Sequence, residues 1–93
     1  MTVEPDNRPP TAAFDWDPSN PDPGEQTFFD ASASTETYGE IESYEWDFGG
    51  GRTGKGKKPT HRFPNGEYSV SLTVTDDEGA TDTTTQEIAI TFG

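Results

Sequence analysis

His61 and the eighteen Asp and Glu residues are the only groups in this 93-residue chain suited to moving protons near neutral pH, because no cysteine is present. General acid–base catalysis needs a base within hydrogen-bond reach of the reacting proton, and covalent catalysis needs a nucleophile beside that base. Neither pairing can be read in the chain, nor can a phosphate-binding loop or a pair of metal-ligating histidines. His61 reads instead as a structural histidine that bonds backbone or a nearby carboxylate and orients the segment around it. By itself, the chain is expected not to be an enzyme.

Three other sets of residues have the chemistry for binding. Trp and Tyr rings on a sheet surface can stack on sugar rings or apolar polymers at little entropic cost. Phe28 and Tyr38 are the surface candidates of this kind, joined by Trp16 at a strand end; Trp46 reads as core. Asp76, Asp77 and Glu78 form an acidic cluster that reads as a turn with its carboxylates facing water. Arg52, Lys55, Lys57, Lys58 and Arg62 are five of the six basic residues, and no acid lies between Arg52 and Arg62. That run either meets an anionic neighbour or guards an exposed strand edge against pairing.

The elements that must position these groups are strands. Tyr44, Trp46 and Phe48 alternate with Glu45 and Asp47, and Tyr68, Val70, Leu72 and Val74 alternate with Ser69, Ser71, Thr73 and Thr75. Period-two alternation marks half-buried strands. A first strand is expected at Thr11–Trp16 with Ala12, Phe14 and Trp16 inward. A second is expected at Gln26–Ser32, with Thr27, Phe29 and Ala31 inward and Phe28 outward. Further strands are expected at Ile41–Phe48, Thr60–Phe63, Tyr68–Thr75 and Ala80–Thr91, the last with Ile88, Ile90 and Phe92 inward. Arg52–Lys58 reads as a short edge strand or ordered loop. Three Pro break the chain between Asp17 and Glu25, and Gly49, Gly50 and Gly51 allow positive φ after the Trp46 strand. No helical period is present. Short strands at regular spacing, one with a central Trp and another opening with Tyr68, predict a seven-stranded antiparallel Ig-like β-sandwich with Greek-key connections. The predicted core is Phe14, Phe29, Ile41, Tyr44, Trp46, Phe48, Phe63, Tyr68, Val70, Leu72, Val74, Ile88 and Ile90.

From Arg8 to Ile90 the chain resembles the PKD (polycystic kidney disease) domain family. The resemblance rests on RPPTAAF, FFDASAST, GEIESYEWDFGGG, THRF and GEYSVSLTVTDDEGATDT. It implies a non-catalytic extracellular or cell-surface module that spaces domains or mediates protein contacts within a larger protein. The alternative it implies is an accessory domain that binds a polysaccharide or fibrous protein for an attached hydrolase. Some members attached to bacterial proteases bind calcium near the loop before the Trp strand. Hard cations take six to eight oxygen ligands, and the nearest candidates here are Glu36, Glu40 and Glu42. Two family Asp positions differ, being Tyr38 and Gly50 in this chain. The Asp that usually follows WDFG is thus lost.

Composition bounds the rest. A chain of this length makes one domain, expected at 10–92 behind a Pro-rich linker at 1–9. The net charge of −12 speaks against nucleic acid as a partner. No signal peptide or membrane-inserting segment is read, and the isolated domain is expected to be monomeric. Its partners are expected among neighbouring domains, other surface proteins or polysaccharide. Eighteen acids against six bases suggest a halophilic source, because in molar salt the Debye length falls to about 3 Å and self-repulsion is screened. An ordinary acidic extracellular domain is the alternative. The halophilic reading predicts a higher thermal midpoint in molar NaCl than in dilute buffer; coincident midpoints would contradict it.

Overall fold

The computed structural model describes residues 10–18, 21–36 and 39–91. Seven strands are present: β1 (Asp15–Asp17), β2 (Gln26–Asp30), β3 (Ile41–Gly49), β4 (Arg52–Lys55), β5 (Thr60–Arg62), β6 (Gly66–Asp76) and β7 (Thr81–Ile90). They build a three-stranded sheet in the order β1-β2-β5 and a four-stranded sheet in the order β4-β3-β6-β7. Every pairing is antiparallel. The architecture is the all-β, seven-stranded sandwich that the alternating segments predict.

Alternation decides which residues fill the space between the sheets. Val70, Leu72 and Val74 on β6, Trp46 and Phe48 on β3, Phe29 on β2 and Ile88 and Ile90 on β7 are buried together with Phe14 and Phe63. Ile41, Tyr44 and Tyr68, also predicted for the core, are only partly buried against it. Trp46 sits at the centre, its ring 5.0 Å from Phe14, 5.4 Å from Phe29 and 6.0 Å from Phe48. Its Nε1–H donates to the Gly56 carbonyl at 2.7 Å, so the one polar atom of the ring is satisfied where it leaves the core.

With no disulfide available, packing and one hydrogen bond tie β6 into the sandwich. The Tyr68 hydroxyl donates to the Pro64 carbonyl at 3.0 Å, closing the corner between β5 and β6 as a tyrosine corner does in this architecture. Val70 stands two residues on, where a bridging Cys would be in antibody-type domains, and is buried. From the last residue of β3 onward, Gly49, Gly50 and Gly51 all take left-handed values (φ 86°, 63° and 82°), and the chain reverses into β4.

Several boundaries differ from expectation. The first strand, expected at Thr11–Trp16, forms a ladder only over Asp15–Asp17. Ahead of it, Thr11 makes an isolated bridge to Thr35, the Ala12 N–H donates to Asp82 Oδ2 and the Ala13 N–H to Ser34 Oγ. Side-chain acceptors there take the place of a neighbouring strand. β5 stops at Arg62, and the Phe63 carbonyl accepts from the Gly24 N–H instead. β6 extends through Asp76. Phe92, Tyr38 and residues 1–9 lie outside the described residues.

Two consequences of this topology position the functional surfaces. The lead-in at Ala12 touches Asp82 near the start of β7, while β7 leaves at Ile90 beside Gly66. The described chain therefore enters at one end of the sandwich and leaves at the other, about 30 Å away for ten residues of strand. The edge strands also sort into two flanks, β1 beside β7 and β4 beside β5. The Gln86 Nε2–H donates to the carbonyl of Phe14, just ahead of β1, at 3.0 Å and joins the first pair, and the Gly56–Pro59 connection joins the second.

Candidate functional site

His61 lies on β5 with its ring turned toward the core. It stacks on Phe48 at 4.7 Å with planes 5° apart and meets Phe63 edge-on at 4.5 Å. Burial and the nearby Arg52 charge both hold its pKa below the ordinary 6.5. Ring packing is thus the role the structure gives it, in place of the bond to backbone or carboxylate expected for it. The sign of the linkage follows from that shift. The neutral form is favoured in the fold, so this contribution is present above pH 6.5 and is lost as pH falls through the depressed folded value. The thermal midpoint of the parent should fall more between pH 7.5 and 5.5 than that of His61→Phe, which keeps a ring but cannot titrate. Equal slopes would remove His61 from the account.

The carboxylates group differently from the expectation. Glu36, Asp76 and Asp77 bring one ligand oxygen each to within 4.8 Å of one another. Glu40 and Glu42 are exposed and do not join this group. Asp76 does not face water, which corrects the reading of the 76–78 turn: its residue is only 3 % exposed. It continues the inward register of Val70, Leu72 and Val74, and its Oδ1 accepts the N–H groups of Glu78 and Ala80 at 2.9 and 2.8 Å. Burial pushes its pKa up, but a hydrogen bond from the Glu36 carboxyl and those from the backbone amides of Glu78, Ala80 and Gly79 outweigh it, and the net direction is down. Two loops meet here, the β2–β3 connection and the β6–β7 turn, with the Asp77 N–H donating to Glu40 O at 3.1 Å. Three carboxylates in such reach suit a hard oxygen-seeking cation, with carbonyls and water completing its shell.

The aromatic candidates separate by face. Trp16 pairs in register with Phe29, on the inward side, and its ring lies 5.9 Å from Phe14. It is half-buried against the core. Phe28 points the other way and, at 53 % exposure, is the large hydrophobic residue left open among those described. It belongs to a shallow groove on the three-stranded sheet lined by Asp15, Trp16, Asp17, Phe29, Asp30 and Lys58. Asp30 accepts both the hydroxyl and the amide N–H of Ser32. Those bonds hold its pKa below the ordinary carboxylate value against a slight upward push from burial, and the charges of Lys58 and Lys57 add to them. The groove offers an apolar ring beside fixed carboxylates and an ammonium.

The model of the PKD domain matches residues 7–92, nearly the whole chain. This chain belongs to the PKD domain family. Its PKD fold is shared with the PKD1 domain of the Vibrio cholerae metalloprotease PrtV, at a TM-score of 0.79 and 36 % identity over 91 % of this chain and all of that one. A structure on the promiscuous specificity of carbohydrate-binding modules from the β-sandwich superfamily matches at a TM-score of 0.89 and 39 % identity. That match covers 94 % of this chain and 36 % of the other. In sequence, a microbial collagenase of Vibrio alginolyticus is 50 % identical over 68 residues, which are 72 % of this chain and 8 % of the collagenase. The PKD module therefore spans less than a tenth of that relative's length. In these relatives it is an accessory part of a larger protein.

Proposed function

We propose that this PKD module is a non-catalytic extracellular spacer that holds neighbouring domains at opposite ends of a rigid sandwich. The observation that carries this reading is the placement of entry and exit, at Ala12 and Ile90, about a strand's length apart. A continuous aromatic core makes the body stiff, and short turns limit bending. Since the chain has no cysteine, nitroxide labels can be placed cleanly on Thr11→Cys and Thr91→Cys. The distance distribution between them should be narrow and centred beyond about 30 Å. A broad or short distribution would contradict a rigid spacer.

Calcium fits this role as a fastening of the entry end. Bound by Glu36, Asp76 and Asp77, it would lock the β2–β3 loop to the β6–β7 turn beside the Asp82 contact to Ala12. In high NaCl, calcium should move the amide signals of Glu36 and Asp76–Gly79 saturably and leave the other acids still. Diffuse, non-saturating shifts over the whole acidic surface would show solvation alone.

A second reading is favoured by the groove at Phe28. An exposed ring flanked by Asp15, Asp17, Asp30 and Lys58 suits adhesion to a polysaccharide or fibrous protein substrate of an attached hydrolase. The domain would then be retained on chitin, cellulose or collagen fibres, and Phe28→Ala would abolish retention without lowering the thermal midpoint. Retention that survives Phe28→Ala would exclude this groove.

A further inference from the structure

All five described cations lie on one flank of the sandwich. Arg52 and Lys55 come from β4, Lys57 and Lys58 from the connection after it, and Arg62 from β5. The chain places them close in sequence, but the topology makes them a band, because β4 and β5 are the edge strands of their two sheets on the same side. All five are exposed. The opposite flank, β1 with β7, carries Asp15, Asp17, Asp82 and Glu87 and no cation.

Two ordinary explanations do not account for this separation. Were the cations there to stabilise the fold, a chain with 18 acids to six bases would pair them readily. Among the described residues the ion pair is Lys58 with Asp30 at 3.9 Å, between largely exposed groups, and exposed pairs contribute little. Were they there only to keep strand edges apart, the Lys favoured as an edge guard would be wanted on both flanks. The longer edge, β7, does without cations. The reversal of sign on one flank is what needs a partner.

The flank itself narrows the partner's chemistry. Protein interfaces are anchored by buried aromatic or apolar residues, and sequence-tolerant nucleic-acid surfaces stack bases on exposed rings. This flank has no such buried anchor and no row of rings: Phe48, Phe63 and the His61 ring face the core, and the exposed ring at its border is Phe28, which pairs with Thr60 and shares its groove with Lys58. The flank offers charge, the hydroxyls of Thr53 and Thr60, and open backbone at Gly56 between cations. We propose that the β4–β5 flank binds an acidic polysaccharide, a hydroxylated chain bearing carboxylate or sulfate groups. This holds whether or not the module also acts as a spacer.

The net charge of −12 does not forbid it. At physiological ionic strength the Debye length is about 8 Å, and β7 lies three strand spacings, about 14 Å, from β4. Acids on the far flank are therefore screened from a ligand lying on this one. At about 0.01 M salt the screening length grows to about 30 Å, and repulsion from the whole domain reaches the ligand. Affinity should be highest near 0.1 M salt, where the screening length is about 10 Å, and fall on either side.

The test is a titration of the whole labelled chain, followed through backbone amide shifts at about 0.1 M NaCl with EDTA to exclude calcium bridging. Polygalacturonate and chondroitin sulfate are the probes; dextran, poly-glutamate and a single-stranded DNA oligonucleotide are the comparisons. Saturable shifts centred on residues 52–62 are expected with at least one acidic polysaccharide, and which of the two binds separates carboxylate from sulfate recognition. Dextran should give none. Lys55→Gln/Lys57→Gln should weaken binding at least about tenfold, the scale expected when two cations leave a phosphate-like electrostatic contact, with a nearly unchanged thermal midpoint. No shift with either polysaccharide, or shifts centred on Phe28, would overturn the proposal. Binding of poly-glutamate or DNA as tight as that of the polysaccharides would overturn it too, in favour of an acidic protein or nucleic acid.

Discussion

Trp46→Ala is expected to cost about 3–5 kcal/mol, the range for truncating a large buried aromatic, and that is most of the stability of a domain this small. The physical reason is the number of partners the ring holds apart and together. Phe14 meets it edge-on, Phe29 tilted and Phe48 stacked. These rings come from both sheets and from the lead-in, so the cavity left by Ala would open at the place where the sheets are joined. The Gly56 carbonyl would also lose its indole donor, loosening the connection between β4 and β5. Urea unfolding gives the measurement. A midpoint equal to that of the parent would show that Trp46 is not the centre of the core. Trp46→Phe should recover part of the loss, because it refills much of the volume without restoring the hydrogen bond.

Gly54→Ala is expected to destabilise by about 1–3 kcal/mol, the usual cost of overpacking, although it adds one methyl on an exposed edge strand. A Cβ at Gly54 would lie 2.8 Å from Phe48 Cε2 and 3.2 Å from Cζ. Phe48 cannot turn aside, because Phe29 lies 5.1 Å from its ring, His61 stacks on it at 4.7 Å and Phe63 closes a third side. Backbone strain plays no part, since Gly54 does not take a left-handed φ. Thr53→Ala, on the exposed face of the same strand, should be near neutral and separates packing from strand propensity. If Gly54→Ala melted with the parent, the contact between β4 and Phe48 would be wrong.

What could be read in advance was what alternation encodes. Tyr44 to Phe48 and Val70 to Val74 declare their faces locally, so β3, β6 and the ring cluster follow from the chain. Asp76 was misread although the signal was present, because it continues the inward register of Val70, Leu72 and Val74. A carboxylate at such a position implies amide donors waiting for it, and Glu78 and Ala80 supply them. The meeting of Glu36 with Asp76 and Asp77 could not be read, since it depends on two loops distant in sequence folding over one end. The gathering of the cations was half legible. Their spacing showed a basic run, but only the sheet order places β4 and β5 on one flank. The faces of Trp16 and Phe28 were legible from alternation, and the register sets one against Phe29 and the other against Asp17.

The spacer account is tested most directly in a collagenase, such as that of Vibrio alginolyticus, engineered to carry this module in place of its matching segment. The module would be replaced there by an unrelated Ig-like sandwich of equal strand length and the same entry and exit geometry. Hydrolysis of a fibrous substrate and of a small soluble one would then be compared with those of the parent and of a deletion. The account predicts that deletion impairs action on the fibre and that the unrelated sandwich restores it. Failure of the unrelated sandwich to restore fibre hydrolysis, with soluble activity intact, would contradict spacing as the central role and assign the work to the module's own surface.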